Sequence, residues 1–132
     1  MRQRSATLTT TLPDEPVVVN GDRDQLAQVA MNIVLNALSA IGDSHGSIHI
    51  TVVPAGEDTD GMHILRIENS GQPIPEEMLE HIFDPFVSGD DRGSGLGLSI
   101  SSRIVEQHGG YIEAINGGLG VVFSVHLPAL RA

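Results

Sequence analysis

Apolar positions in this chain follow two spacings, and the change from one to the other marks out its elements. Across residues 22–41 (DRDQLAQVAMNIVLNALSAI), Leu26, Val29, Ala30, Ile33, Val34, Ala37, Leu38 and Ile41 recur every three or four residues, which predicts one long helix. Asp22 or Asp24 suits its start, where a carboxylate meets the positive end of the helix dipole, and Gly42 is placed to stop it. A second helix is expected over 96–108 and a short one over 76–83. Runs rich in β-branched residues or alternating in polarity predict strands over 6–12, 16–20, 47–53, 62–69, 111–115 and 121–127. The first two are expected to pair with each other, and 47–53 with 62–69 as a hairpin across the acidic turn 54–61. The stretch 87–95 (VSGDDRGSG) is charged, glycine-rich and without apolar period. These elements add up to an α/β fold, a two-layer sandwich with a mixed, mostly antiparallel sheet of about five strands and its helices on one face.

One polar stripe crosses the long helix. Gln25, Gln28, Asn32, Asn36 and Ser39 also recur at three and four, on an otherwise apolar cylinder. An unsatisfied amide in a core costs ~1–3 kcal/mol. The two asparagines are therefore either paired with neighbouring backbone and solvent, or kept for a ligand.

Composition narrows the function. The 132 residues are 40% hydrophobic and predict one domain with a real core. No apolar run has membrane-spanning length and no signal peptide is evident, so a cytoplasmic domain without direct membrane contact is expected. Cysteine is absent, which excludes disulfides and thiolate metal sites. A formal net charge of −10 argues against nucleic acid as a partner. All seven basic residues are arginine, and without lysine neither a Walker A loop nor the usual protein-kinase nucleotide site can be built.

Two short motifs remain. Gly93-Ser94-Gly95-Leu96-Gly97-Leu98 sits where a loop becomes a helix, a place where backbone amides can approach a phosphate. The dinucleotide fingerprint would need a third glycine where Leu98 stands, so that reading fails; by itself the run reads first as a flexible hinge. Asn69-Ser70-Gly71 ends a strand and can face a cleft or form an ordinary turn.

Taken in order, NIVLNALSAI, IENSGQPIPEE, IFDPF, GSGLGLSISSRIVEQHGG and GGLGVVFSVHLP closely resemble the N, first glycine, F, second glycine and closing glycine boxes of the catalytic, ATP-binding domain of sensor histidine kinases, relatives of the gyrase, Hsp90 and MutL ATPases with the Bergerat fold. The resemblance runs from about residue 8 to 128. It implies ATP and Mg²⁺ as cofactors, with Asn36 giving its amide oxygen to the metal and Asn32 beside the phosphates. Asn69 matches the residue that reads adenine, and Gly71 lets the backbone pass close to the base. Residues 87–94 would form a lid over the triphosphate, hinged at Gly89, Gly93 and Gly95, with Gly95 and Gly97 offering amides. Ile74, Phe86, Ser94, Leu96 and Leu98 complete the expected nucleotide surroundings. Arg92 is either a solvated loop charge or the cation that meets the γ-phosphate.

Three departures qualify the resemblance. The family's usual aspartate is Asn69, whose amide can accept or donate, so weaker discrimination of adenine from guanine is expected. Pro73 replaces a glycine, and Ser39 stands where many relatives have a basic residue. The hydrolytic relatives carry a glutamate at the position of Asn32; an amide cannot take a proton, which disfavours autonomous hydrolysis. None of the six histidines lies in phosphoacceptor surroundings. The resemblance thus implies that residues 1–132 are a catalytic domain, monomeric alone, that donates phosphate to a histidine on a separate dimerisation domain, with a response regulator downstream. A serine kinase of the anti-sigma type and a nucleotide-responsive module without transfer activity are the alternatives.

Overall fold

The computed structural model describes residues 6–42, 45–84 and 97–130. Five strands, β1 (Ala6–Thr11), β2 (Gly46–Val53), β3 (Met62–Asn69), β4 (Tyr111–Asn116) and β5 (Val121–Pro128), form one sheet in the order β1-β2-β3-β5-β4. Among the described residues three α-helices accompany it: α1 (Arg23–Ile41), α2 (Glu76–Leu79) and α3 (Gly97–Gln107). Only β1 and β2 are parallel, and α1 supplies the long connection that a parallel pair requires. β2–β3, β3–β5 and β4–β5 are antiparallel.

Register sorts the strands into two faces. Ile48, Ile50 and Val52 of β2 stand beside Asn69, Ile67 and Leu65 of β3, then Val121, Phe123 and Val125 of β5, then Asn116, Ala114 and Ile112 of β4. This face packs on the helices. Val29, Ile33, Ala37 and Ile41, each four residues from the last, form the buried stripe of α1, and Ile104 and Val105 come from α3. Phe83 sets its ring edge-on to Phe123, centroids 6.3 Å apart.

α1 begins as its sequence implies. Asp22 is the N-cap, its carboxylate accepting the Gln25 N–H at 2.9 Å, and Asp24 sits in the first turn. Gly42 (φ 68°) ends the helix, its N–H donating to the Leu38 carbonyl.

Two expectations are corrected. Residues 16–20 are no strand: Val19 makes an isolated bridge to Ala129, and the Leu130 N–H donates to the Val18 carbonyl. Pro13 and Pro16 lack the amides a ladder needs, and β1 takes β2 as its partner instead. The short helix is one turn only, Glu76–Leu79. Beyond it the chain advances by i→i+3 bonds, His81 N–H to Met78 O and Asp84 N–H to His81 O, a tighter winding that carries Ile82 into the core.

Candidate functional site

The site is organised along one face of α1, where Asn32, Asn36 and Ala40 follow at four-residue intervals. Among the described residues, two other elements touch this face, one at each end.

At Asn32, the contact is with α3. The Asn32 Nδ2 donates both to the Gly97 carbonyl (3.1 Å) and to the Ser101 Oγ (3.0 Å). Ser101 is fully buried, so this amide satisfies a hydroxyl that has no access to water. Leu98, the next residue of α3, packs against the core. The far end of α3 is tied back as well. His108 Nδ1–H donates to the Ile104 carbonyl (2.8 Å), and its Nε2 accepts the Asp22 N–H (3.0 Å) at the start of α1. Because Ile104 O can only accept, the hydrogen is assigned to Nδ1.

At Ala40, the contact is with the loop after β3. A Cβ at Gly71 would lie 2.8 Å from the Ala40 carbonyl carbon and 2.9 Å from its oxygen, so only glycine lets the two backbones pass. A Cβ at Gly120, in the β4–β5 turn, would overlap the Asn69 carbonyl oxygen and lie 2.7 Å from that of Gly71. The loop is thus gripped between α1 and the hairpin. Ser70 fastens it to β2: its N–H donates to Ser47 O (3.0 Å) and its Oγ accepts the Ser47 N–H (2.8 Å). Ile74 packs on the core, and its backbone is held by the Asn116 amide.

Asn69 ends β3 at 1% exposure. Its Oδ1 accepts the Gly71 N–H at 2.8 Å, which sets the orientation of the amide. The Nδ2 is then left buried without a partner among the described residues. Asn36 lies between the two contacts, about 6 Å along α1 from Asn32 and from Ala40 by helical rise. It is half-buried and makes no hydrogen bond among the described residues.

Of the residues singled out in the sequence, Asn32, Gly97 and Leu98 therefore meet at one end of this face, Asn69, Gly71 and Ile74 at the other, and Asn36 between. Phe86, Gly89, Arg92, Gly93, Ser94, Gly95 and Leu96, with the lid and the F-box end, lie outside the described residues. His108, Asn116 and Gly120 carry site geometry that pattern reasoning missed. An open cavity of about 270 Å³ lined by Leu12, Pro13, Glu15, Pro16, Val17 and Val52 is at the other end of the sheet and contains none of these residues.

The arrangement fits a purine nucleotide with a hard cation. A buried amide nitrogen awaits a hydrogen-bond partner at the end of β3, and glycines remove side chains from the adjoining walls. Among the described residues no three His, Cys, Asp or Glu side chains gather to hold a metal. A lone amide oxygen such as that of Asn36 suits Mg²⁺ when a triphosphate supplies the other ligands.

Similarity to known proteins identifies the family. Residues 21–131 match the family described as histidine kinase-, DNA gyrase B-, and HSP90-like ATPase. The chain is 39% identical to the sensor histidine kinase ZraS of Klebsiella oxytoca over 95% of its own length and 26% of that protein's. It is 38% identical to the C4-dicarboxylate transport sensor protein DctB of Rhizobium meliloti over 88% of its length and 18% of the relative's. It thus spans about a quarter of the length of ZraS and less of DctB. The solved catalytic domain of the histidine kinase ThkA superposes with a TM-score of 0.82 at 39% identity, covering 93% of this chain and 78% of that one. No helix among the described residues is long and apolar enough to cross a membrane. The chain belongs to the histidine kinase-, DNA gyrase B-, and HSP90-like ATPase family, and within it to the catalytic, ATP-binding domains of sensor histidine kinases.

Proposed function

We propose that this domain binds MgATP along the Asn32–Asn36–Ala40 face of α1 and donates the γ-phosphate to a histidine on a separate dimerisation domain. In a two-component system that phosphate passes on to a response regulator. ThkA, a relative, has been solved in complex with the response regulator TrrA, which supports such a partner here. The observation that carries the reading is the convergence on α1. The loop bearing the buried Asn69 amide, whose Nδ2 has no partner among the described residues, meets it one turn beyond Asn36, and the start of α3 meets it one turn before.

The residues divide the work by chemistry. Asn69 and the loop to Ile74 receive the base. Asn36 Oδ1 would hold Mg²⁺, which neutralises phosphate charge and leaves phosphoryl transfer largely a matter of positioning. Asn32 is committed through its Nδ2 to Gly97 and Ser101, so it fixes α3 against α1. A carboxamide has no basicity with which to activate water. Transfer to an external nucleophile, and not hydrolysis, follows from that substitution.

Titration calorimetry with MgATP on wild type and Asn36→Ala tests the binding half. Saturable binding by the wild type, weakened at least tenfold by the substitution, is expected. A trans-phosphorylation assay on supplied dimerisation domains tests the transfer half. Flat calorimetry with magnesium present would overturn the reading. Phosphate appearing on a partner serine, or on no partner at all, would replace the histidine-kinase assignment with one of its alternatives.

A further inference from the structure

Asn116 makes a pair of hydrogen bonds that the strand carrying it does not require. It is the last residue of β4 and stands opposite Val121, which on its other side stands opposite Asn69. Asn116 and Asn69 therefore share one row of the sheet and one face, two strands apart. From there Asn116 Oδ1 accepts the Ile74 N–H (2.9 Å) and its Nδ2 donates to the Ile74 carbonyl (2.8 Å). This is the exchange a neighbouring strand would make, performed by one side chain on a residue 42 positions away.

The choice of Ile74 has a chemical reason. Within the loop Asn69-Ser70-Gly71-Gln72-Pro73-Ile74, the front half is fixed by Ser47, by Asn69 Oδ1 and by the close approach to Ala40. Pro73 has no N–H, so Ile74 carries the first amide after Gln72 that can tie down the back half. The amide of Asn116 takes it and the carbonyl together. Gly120, in the same hairpin turn, presses on the carbonyls of Asn69 and Gly71 from the same side.

We infer that Asn116 is a positioning residue for nucleotide recognition, holding the back half of the base-binding loop so that the Asn69 amide and the Ile74 side chain meet the base in a preset geometry. This rests on the reading that residues 69–74 face the base. It makes the β4–β5 hairpin, which is remote in sequence from every residue assigned above to the nucleotide, part of the base subsite.

The test combines amide hydrogen exchange on the nucleotide-free protein with calorimetry using the magnesium complex of the non-hydrolysable analogue AMPPNP. Asn116→Ala removes both bonds. Asn116→Asp keeps the size and the acceptor but turns an oxygen onto the Ile74 carbonyl. In either variant exchange at Ile74 should rise at least tenfold, with the amides of Val29, Ile33 and Phe123 unchanged. AMPPNP affinity should fall about tenfold. Unchanged affinity, or faster exchange throughout the core, overturns the assignment. A wild type that does not bind AMPPNP overturns the nucleotide reading itself, and this role with it. A wild type that binds, beside variants that bind as well, overturns Asn116 alone.

Discussion

The two elements that, among the described residues, meet the Asn32–Asn36–Ala40 face of α1 are attached to the helix by different means. The loop after β3 is joined by backbone passing backbone: Gly71 against Ala40 on one side, Gly120 against Asn69 and Gly71 on the other. α3 is joined by side chains, Asn32 at its start and His108 just past its end. Backbone contact leaves no room for adjustment, because no rotamer change can relieve an added atom. Side-chain contact tolerates small shifts and fails by degrees. The end expected to read the base is thus rigid by construction, while α3, whose start is expected to lie beside the phosphates, is held by one amide and one imidazole tether.

The largest effect should come from adding one atom where backbones touch. Gly71→Ala and Gly120→Ala each force the loop away from its neighbours at a cost of about 1–3 kcal/mol. That displacement carries Asn69 with it. Nucleotide affinity should drop by about a hundredfold or more, against at most a few-fold for an alanine at Gly118, where an added Cβ meets nothing within 4 Å. Calorimetry on the three variants makes the comparison, and equal losses would erase the distinction between the two kinds of contact.

Next in size is Asn32→Ala. It strands the buried Ser101 hydroxyl and frees the Gly97 carbonyl, so a loss of about 1–3 kcal/mol in folding stability is expected from chemical denaturation. Asn32→Ser, able to reach only one of the two partners, should fall between. A variant as stable as wild type would mean that α3 stays in place without this tether.

Asn69→Asp changes selectivity more than stability. In the wild type the Gly71 N–H fixes which way the amide points, and the remaining nitrogen is a donor. At the 6-position of the purine a donor suits the oxo group of guanine, whereas a carboxylate, which only accepts, suits the amino group of adenine. The ratio of ATP to GTP affinity should therefore rise about tenfold in the variant. A wild type that already prefers ATP several hundredfold would count against the idea.

The difference in attachment also explains what the sequence could and could not disclose. α1 was legible from its period, its Asp22 cap and its Gly42 stop, all local signals. β2, β3, β4 and β5 were legible because each strand alternates or carries β-branched residues between turns. Residues 16–20 carried the same β-branched signal, yet the flanking prolines and the availability of β2 decided the pairing. Asn69 and Gly71 could be found because their neighbours spell a short motif. Gly120 and His108 fall inside the glycine boxes, but their contacts and those of Asn116 could not be found, since each acts on a residue tens of positions away that only the folded sheet brings near.

His108 gives the smallest effect and the cleanest separation between the ends. Its ring accepts the Asp22 N–H from 86 residues away and donates to the Ile104 carbonyl, far along both helices from Asn36 and from the base-binding loop. His108→Ala leaves the exposed Asp22 N–H to water, while the Ile104 carbonyl keeps the backbone N–H of residue 108, so the loss should be about 1 kcal/mol. A melting temperature lower by roughly 4 °C would report it. Magnesium–nucleotide affinity should stay within about twofold of wild type, because the Asn32 tether keeps the start of α3 in register by itself. If affinity falls in step with stability, the two tethers act as one unit, and α3 must be treated as rigidly coupled to α1 along its whole length.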